Sequence, residues 1–347
     1  MAFVVQKGMR GRENLKGIAL GVLASFFFAT TFVLNRAMDL SGGSWIWSAV
    51  LRFVFMLPPL LLLVLARGNL RPLLLDLRKR PLTWIGWSTV GFGLFYAPLC
   101  FAAAYGPAWL VASMWQTTIV AGSLLAPFFY TVVLTETGTK KVRASIPLKG
   151  LGISCIILVG IALIQLQQAQ VLTVKEIFLG ILPVLVAAFA YPLGNRKMMA
   201  ACGERFDTYQ RVLGMTISSL PFWLVLSVLG VSTVGLPSTH QTLQTLIVAI
   251  SSGVIATVLF FSATDMTKGN VHKLAAVEAT QSGEVVFSLF GELAILHGEY
   301  PTPSSFLGIL LVILGMTLHS LFGHASEKNV KLDTPKRMES KESSGRN

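Results

Sequence analysis

The sequence is short of charge, above all of negative charge. Only 13% of its 347 residues are Asp, Glu, Lys or Arg, whereas soluble domains carry about 25%. A water-soluble globular enzyme of this length is thereby excluded. An intrinsically disordered chain is excluded too, because 53% of the residues are hydrophobic. The mean hydropathy of +0.67 indicates a membrane protein.

Cysteines and catalytic motifs are also scarce. The three cysteines, Cys100, Cys155 and Cys202, cannot build the disulfide framework of a secreted protein. There is no Gly-x4-Gly-Lys-Ser/Thr phosphate loop, so an ATP-driven pump would need a second chain. There is also no HExxH motif and no Cys/His cluster with metal-ligand spacing. We therefore expect no metal, no cofactor and no catalytic residue.

Long apolar runs are what the sequence has in abundance. A helix needs about 20 apolar residues to cross the hydrocarbon core of a bilayer, and the alternation typical of outer-membrane barrels is absent. We predict an all-α integral membrane protein with ten transmembrane helices. The predicted spans are residues 15–38, 44–66, 82–104, 108–134, 147–166, 177–193, 209–229, 242–264, 272–296 and 303–322.

Basic residues lie on one side of these spans. Of the 28 Lys and Arg, 24 are assigned to the two tails and to the loops that follow spans two, four, six and eight. The exceptions are Arg36, Arg52, Lys175 and Arg211. This bias predicts that both termini are cytoplasmic, in a multi-pass protein of the cytoplasmic membrane. It also explains the net charge of +12 without a nucleic-acid partner. Residues 1–14 would be a cytoplasmic tail, and residues 323–347 a disordered one.

The two halves of the chain resemble each other weakly but in order. Asn35-Arg36-Ala37-Met38 returns as Asn195-Arg196-Lys197-Met198, Arg52 has a counterpart in Arg211, and Gln116 has one in Gln281. We predict two homologous five-helix repeats, residues 15–166 and 177–322. Because five is odd, the second repeat would enter the membrane inverted, which is typical of secondary transporters with a midplane site.

These features resemble the drug/metabolite transporter superfamily. The likeness rests on ten spans, two inverted halves, Leu51-Arg52-Phe53 early in the second span and a late Gly298-Glu299. The chain is most similar to the ten-helix exporters of the EamA and multidrug-resistance-efflux type, over about residues 15–322. The four-helix pumps of this superfamily use a Glu in their first helix. The first span here has no carboxylate, so that mechanism does not transfer by position.

The ninth span holds three carboxylates. Each costs on the order of 2.5–3.5 kcal/mol at mid-bilayer depth. At about 100° per residue, five polar residues fall within one arc of roughly 120°, which should face a hydrated cavity or the bundle interior. They are Glu278, Gln281, Glu284, Ser288 and Glu292.

Glu284 lies nearest the centre of this span. A low dielectric favours the neutral form of a carboxyl group, so Glu284 can carry a proton and exchange it for a cation. The alternative is structural, namely an ion pair of Glu284 or Glu278 with Arg52 or Arg211. For Glu278 and Glu292 the functional and structural readings weigh equally.

Other candidate binding residues lie on spans two, four and seven. Arg52 and Arg211 can bind an anionic metabolite bidentately, although structural pairing with carboxylates or carbonyls is the slightly favoured reading. Trp115 and Gln116 place an aromatic beside an amide and offer a cation–π surface. Packing in the bundle is the alternative for Trp115.

The favoured function is secondary export of small amphiphilic or cationic compounds, or metabolites, by proton antiport with alternating access. The alternative is an uncoupled or exchange-driven translocator of an anionic metabolite or lipid-linked sugar. A membrane-embedded enzyme or sensor is the third hypothesis, but no nucleophile–base pair stands out. The expected partners are a small-molecule substrate, protons and the lipid bilayer, with the chain a monomer or a homodimer.

Overall fold

Helices make up most of the chain in the computed structural model, which describes residues 2–105, 108–135, 138–146, 148–165, 173–267, 270–297 and 302–318. The predicted Gly298-Glu299 motif and the predicted C-terminal tail lie outside these residues. The elements are α1 (Ala2–Leu40), α2 (Trp45–Ala66), α3 (Leu70–Lys79), α4 (Pro81–Ser88), α5 (Leu94–Tyr105), α6 (Ala108–Trp115), α7 (Thr117–Leu124), β1 (Tyr130–Thr135), β2 (Gly138–Arg143), α8 (Leu148–Gln165), α9 (Val174–Cys202), α10 (Thr208–Val234), α11 (Thr239–Val248), α12 (Thr257–Asp265), α13 (Val271–Ala279), α14 (Gly283–Ile295) and α15 (Pro303–Leu318).

Six helical segments of the described residues are long and apolar enough to cross a membrane, so the protein is a multi-pass helical membrane protein. They coincide with predicted spans one to three and six to eight. Shorter apolar helices, Gly150–Leu163 and Pro303–Leu318, lie where spans five and ten were predicted. The six segments are Leu15–Leu40, Trp45–Ala66, Pro81–Ala104, Phe178–Cys202, Thr208–Val234 and Thr239–Asp265.

Two of the six segments carry a π-helical turn near the middle of their length. Thr89–Gly93 joins α4 to α5, and Ala249–Ala256 joins α11 to α12. The interval from the start of the first turn to the start of the second equals the interval from Asn35 to Asn195. The two turns therefore occupy equivalent positions in the predicted repeats. π-Turns inside helices are frequent at functional sites.

Predicted spans four and nine are each interrupted by a local break. The first breaks at Gln116, between α6 and α7, and the second breaks at the 3₁₀ turn Thr280–Ser282, between α13 and α14. Hydroxyl groups compete with the helical backbone at both breaks. Thr117 Oγ1 donates to the Met114 carbonyl at 2.7 Å, and Thr280 Oγ1 donates to the Val277 carbonyl at 2.6 Å.

The predicted end of span four, at residue 134, is wrong. The helical part stops with the 3₁₀ turn Ala126–Phe128, and residues after it form a β-hairpin in which Tyr130 pairs with Arg143. Pro127 cannot continue a hydrogen-bonded helix, and Thr131, Val132 and Val133 are β-branched residues that favour strands. Apolar content alone does not separate such a strand from the end of a helix.

Helices that are distant in sequence pack against each other in a reciprocal pattern. Helix α1 packs on α12, on the π-turn before it and on α14, whereas α9 packs on α5, on the π-turn before it and on α7. Helices α2 and α10 pack on one another, where the rings of Phe53 and Trp223 stack with centroids 4.4 Å apart. Gly91 and Gly194 let α9 approach the first π-turn, because a Cβ on Gly194 would overlap the Gly91 Cα.

A polar cluster fixes α3 outside the membrane spans. The carboxylate of Asp76 accepts hydrogen bonds from Arg80, from Trp84 Nε1 at 2.9 Å and from Arg205 Nη1 at 2.9 Å. Burial alone would raise the pKa of Asp76, but the hydrogen bonds from Arg80 and Trp84 and the charges of Arg80 and Arg205 outweigh it, so the pKa lies below its ordinary value. Arg80 and Arg205 also donate to the carbonyl of Ala201 near the end of α9.

Candidate functional site

A small cavity lies where both broken spans meet the first, second, third, sixth and eighth predicted spans. Five of its eleven lining residues are aromatic, and one carboxylate and one guanidinium are among the others. The π-turn Ala249–Ala256 and the 3₁₀ turn Thr280–Ser282 each contribute a lining residue, and Trp115 directly precedes the break at Gln116. Backbone irregularity and polar side chains therefore come together at one place. The lining residues are Phe28, Thr31, Phe32, Arg52, Phe95, Leu99, Trp115, Tyr191, Ser252, Gln281 and Glu284.

Glu284 is the carboxylate of this cavity. It stands in the first turn of α14, directly after the 3₁₀ turn, and is 1% exposed. The indole of Trp115 donates a hydrogen bond to it, and the charge of Arg52 acts on it. Its Oε1 atom has no hydrogen-bond partner. A buried carboxylate oxygen without a partner is costly, so a ligand or a proton at Oε1 would stabilise the site.

Arg52 is the cation of this cavity and is 2% exposed. Its Nη2 donates to Ser252 Oγ at 3.0 Å, and its guanidinium lies 3.9 Å from the centroid of the Tyr96 ring. Thr31 donates to the same Ser252 hydroxyl. The Nε atom of Arg52 has no hydrogen-bond partner. Among the described residues, Arg52 takes part in none of the ion pairs.

Three aromatic rings form one wall. The centroid of Phe95 lies 4.9 Å from that of Trp115 and 4.7 Å from that of Tyr191, and Trp115 lies 5.5 Å from Tyr191. The Tyr191 hydroxyl is buried without a partner. Ring faces beside a carboxylate attract an ammonium group by cation–π and charge interactions together. This aromatic box is therefore suited to a positively charged ligand group.

Glu278 lies elsewhere, in a buried pair with Arg196. Arg196 Nε donates to Glu278 Oε1 at 3.0 Å, and Nη1 donates to the carbonyl of Gly122. The predicted structural partners of Glu278, Arg52 and Arg211, are not its partners here. The pairing fastens α9, α13 and α7 together, and neither residue lines the cavity.

Arg211, Gln116 and Glu292 also stand apart from the cavity lining. Arg211 is buried and pairs with Asp265 at 2.6 Å, with its guanidinium 4.8 Å from the Phe261 ring. Gln116 is buried at its helix break and donates to the Ala112 carbonyl. Glu292 is half-buried on α14, and Arg36 is the charge that acts on it.

The predicted polar arc of the ninth span mostly faces inward, although the helix is interrupted. Glu278, Gln281, Glu284 and Ser288 are buried, whereas Phe290 is 57% exposed. Of the eight predicted site residues, the structure brings four together at the cavity, and these are Arg52, Trp115, Gln281 and Glu284.

Sequence reasoning missed Tyr191, Phe95, Ser252 and Thr31. One signal was present, because Thr31 and Tyr191 are separated by the same interval as Asn35 and Asn195, and both line the cavity. For Phe95 and Ser252 no motif distinguished them from the other aromatic and hydroxyl residues of the spans. Their role follows only from the packing of α5 and of the second π-turn.

Comparison with known proteins gives one family. The family described as "EmrE: Putative multidrug resistance efflux transporter" matches residues 15–325. The chain is 59% identical over 306 residues to "Uncharacterized protein YjlA" of Bacillus subtilis (strain 168), covering 88% of this chain and 94% of that protein. It is 52% identical over 270 residues to a Shouchella clausii protein called "Uncharacterized 42.1 kDa protein in intracellular alkaline protease 3'region", covering 78% of this chain and 70% of that one.

A solved crystal structure shares the fold. Its TM-score is 0.65 at 15% sequence identity, with 90% of this chain and 98% of that chain covered. At this identity the likeness concerns the arrangement of the helices alone. The resemblance to multidrug-resistance-efflux transporters that the sequence suggested is confirmed by the family match.

Proposed function

The chain belongs to the EmrE-like family of multidrug resistance efflux transporters, and from this premise we propose that it exports small cationic or amphiphilic compounds or metabolites by proton antiport. In this proposal Glu284 binds a proton and the positively charged group of the substrate in turn. Membership of a transporter family also favours transport over catalysis.

The observation that carries the proposal is the state of Glu284. A buried carboxylate with an unpartnered oxygen faces a cavity whose wall is an aromatic box. Either a proton or an ammonium group satisfies Oε1, but the two compete for it. Competition of this kind couples the movement of one to the movement of the other without ATP.

We also propose the ten-helix inverted repeat, with halves at residues 15–166 and 177–322. Several observations support it. The two π-turns are separated by the interval that relates Asn35 to Asn195, and the two broken spans break at Gln116 and at the turn that contains Gln281. Helices α1 and α9 have reciprocal packing partners. In addition, Arg52 and Arg211 each hold their guanidinium over an aromatic ring.

Alternating access follows from such a repeat. Each half can adopt the conformation that the other half leaves, so the cavity opens to one side and then to the other. The breaks at Gln116 and at Thr280–Ser282 are the hinges in this proposal, because their backbone is already irregular. Trp115, which directly precedes the first break, and Gln281, which lies in the second, both line the cavity, so substrate binding can bias the movement of both breaks.

The location in this proposal is the cytoplasmic membrane, with both termini in the cytoplasm. The one-sided distribution of Lys and Arg supports this orientation. Because one chain would contain both halves of the transport path, a monomer suffices for transport, and a homodimer would hold two paths.

The test is proton movement in liposomes. Wild type, Glu284→Gln and the control Glu204→Gln, an exposed loop residue, are reconstituted with a pH-sensitive dye inside. A pH gradient is imposed, and cationic dyes, amino acids and nucleotide sugars are added. We expect one class to collapse the gradient in wild type and in Glu204→Gln but not in Glu284→Gln. If no compound moves protons in wild type, antiport is wrong.

The second candidate function is exchange of an anionic metabolite or lipid-linked sugar without protons. It is favoured by Arg52, whose Nε is unpartnered at the cavity. Counterflow of a radiolabelled anion that persists in Glu284→Gln and is lost in Arg52→Gln would support this function in place of antiport.

A further inference from the structure

The short helix α3 connects two segments that are long enough to cross the membrane. It runs from Leu70 to Lys79, between the segments Trp45–Ala66 and Pro81–Ala104. Three residues join it to the first segment and one residue joins it to the second. Because an extended chain covers at most about 3.6 Å per residue, these connections keep α3 close to the membrane surface.

One face of α3 is fixed to the rest of the protein. Leu73 and Asp76 are buried, and the Asp76 carboxylate accepts a hydrogen bond from Arg205 at 2.9 Å. The carbonyl of Asn69, directly before the helix, accepts a hydrogen bond from Gln210 at 2.8 Å. These contacts set the rotation of α3 about its axis, so the opposite face is held outward.

Three basic residues and two leucines share this outer face. Arg71, Arg78 and Lys79 are exposed, and Leu74 and Leu75 are 40% and 47% exposed. At about 100° per residue, the two arginines lie within about 20° of each other, with one leucine on either side about 40–60° away. Covering the leucines with an apolar phase is favourable, while long basic side chains can extend to a polar layer above it.

The basic residues of the outer face have no counter-charge within the protein. In the part of the chain that the structure describes, none of the three takes part in an ion pair. The neighbouring Arg67 and Arg80 are different, because they pair with Asp207 and Asp76. Asp76 is also the only acidic residue of positions 67–80, and it lies on the buried face. The outer face therefore carries three positive charges that call for an external anion.

We propose that the outer face of α3 binds the headgroups of anionic phospholipids, with their phosphates on Arg71, Arg78 and Lys79 and their acyl chains against Leu74 and Leu75. A basic helix with exposed apolar residues is suited to the membrane interface, where attraction to anionic lipid adds to the apolar contact. An arginine can hold one phosphate with two parallel hydrogen bonds. This surface is distinct from the cavity and does not depend on what is transported.

The leucines distinguish a phospholipid from a soluble anion. A free phosphate would contact the basic residues alone and leave Leu74 and Leu75 uncovered, whereas a phospholipid covers both kinds of residue. A signal for membrane topology needs only positive charge in the loop. It does not require a folded helix that is anchored through Asp76.

The test is the lipid selectivity of the purified full-length protein. Native mass spectrometry follows its titration with phosphatidylglycerol and with phosphatidylcholine of the same acyl chains. Each basic residue near an anionic surface contributes roughly fivefold in affinity. We therefore expect wild type to bind phosphatidylglycerol at least tenfold more tightly than phosphatidylcholine.

Variants then assign this preference to α3. The α3 triple variant, which combines Arg71→Gln, Arg78→Gln and Lys79→Gln, should lose most of the preference. It should keep the wild-type melting temperature, because the three side chains are exposed and take part in no ion pair. The double variant Leu74→Ser with Leu75→Ser should weaken the binding of both lipids and keep the preference.

A second triple variant is the matched control. Lys16→Gln, Arg143→Gln and Lys175→Gln together remove the same charge from exposed residues elsewhere and should leave the preference unchanged. Equal loss in both triple variants would show an effect of net charge and refute a site on α3.

Two further results would overturn the inference. Wild type that binds both lipids equally contradicts it, even if the α3 triple variant fails to fold. Glycerol 3-phosphate, a soluble fragment of the headgroup, should not displace phosphatidylglycerol at the same concentration. Displacement would identify a site for free phosphate and refute the lipid.

Discussion

Arg196 and Glu278 form a buried ion pair, with Arg196 Nε 3.0 Å from Glu278 Oε1 and side chains that are 4% and 7% exposed. The pair joins α9 to α13, and its guanidinium also donates to the carbonyl of Gly122 on α7. Three helices that are far apart in the sequence therefore meet at one charged contact. Such a contact is costly to break on one side, because the other charge stays buried.

The ion pair predicts a large loss of stability on single substitution. Glu278→Gln should destabilise the protein by about 3–5 kcal/mol, since Arg196 is left buried without its counter-charge. Unfolding in a series of SDS/detergent mixtures measures the difference. The control is Asp39→Asn, because its pair with Arg36 is half-exposed and should contribute no more than about 1 kcal/mol. Equal losses in the two variants would contradict the structural role of Glu278.

Gly122 predicts a steric test of the same contact. A Cβ at this position would lie 2.7 Å from Glu278 Oε2 and 3.1 Å from Arg196 Nη2. Gly122→Ala should therefore destabilise by about 1–3 kcal/mol by displacing the pair. Gly86→Ala is the matched control, since nothing lies within 4 Å of its Cβ position. There alanine should be neutral or stabilising by up to about 1 kcal/mol. The apparent melting temperature of each variant is compared with that of wild type. It should fall for Gly122→Ala and should stay the same or rise for Gly86→Ala.

Asp76 predicts a pH dependence of stability. Its pKa is lowered in the folded protein, so the stabilisation by its carboxylate is complete above the ordinary Asp value of about 3.9. It is lost as the pH falls below that value through the lowered pKa. Asp76→Asn should thus be less stable than wild type at pH 7, with a difference that shrinks towards pH 3. A difference that stays constant with pH would rule out the carboxylate charge as the cause.

Trp115 predicts graded effects on ligand binding. Trp115→Leu removes the ring and should weaken amine binding by about 0.5–2 kcal/mol, which is roughly 2- to 30-fold. Trp115→Phe keeps a ring but loses the hydrogen bond to Glu284, so its effect should be smaller. Calorimetry with isopentylamine measures both. Affinities that stay at the wild-type value in both variants would remove Trp115 from the proposed site.

The proposed topology predicts opposite labelling of two helix ends. In a background without Cys100, Cys155 and Cys202, Leu40→Cys should react with an impermeant thiol reagent added outside intact cells. Glu204→Cys should react only after the membrane is opened. Both positions are exposed, so access to the thiol depends on the side of the membrane. Reaction of both from outside would refute the orientation.

Hydropathy was sufficient to predict the long helices but not their local backbone. The predicted spans that became α2 and α10 are apolar on average over a length that crosses a bilayer, although Arg52 and Arg211 lie within them. At the breaks, the hydroxyl groups of Thr117 and Thr280 bond to carbonyls three residues earlier. Such bonds leave no trace in a hydropathy that is averaged over a whole span, so both breaks went unpredicted.

The sequence by itself determined that this is a multi-pass helical membrane protein, where its apolar runs lie, and that Glu284 is an unusual charge within one of them. These properties follow from composition and from the period of one helix. Only the tertiary structure decided that Arg196 forms an ion pair with Glu278 and that Arg211 forms one with Asp265. It also decided that Arg52 and Glu284 line one cavity without forming an ion pair. The physical reason is that a helical period fixes which face a residue occupies, whereas the charge it meets depends on which distant helix packs there.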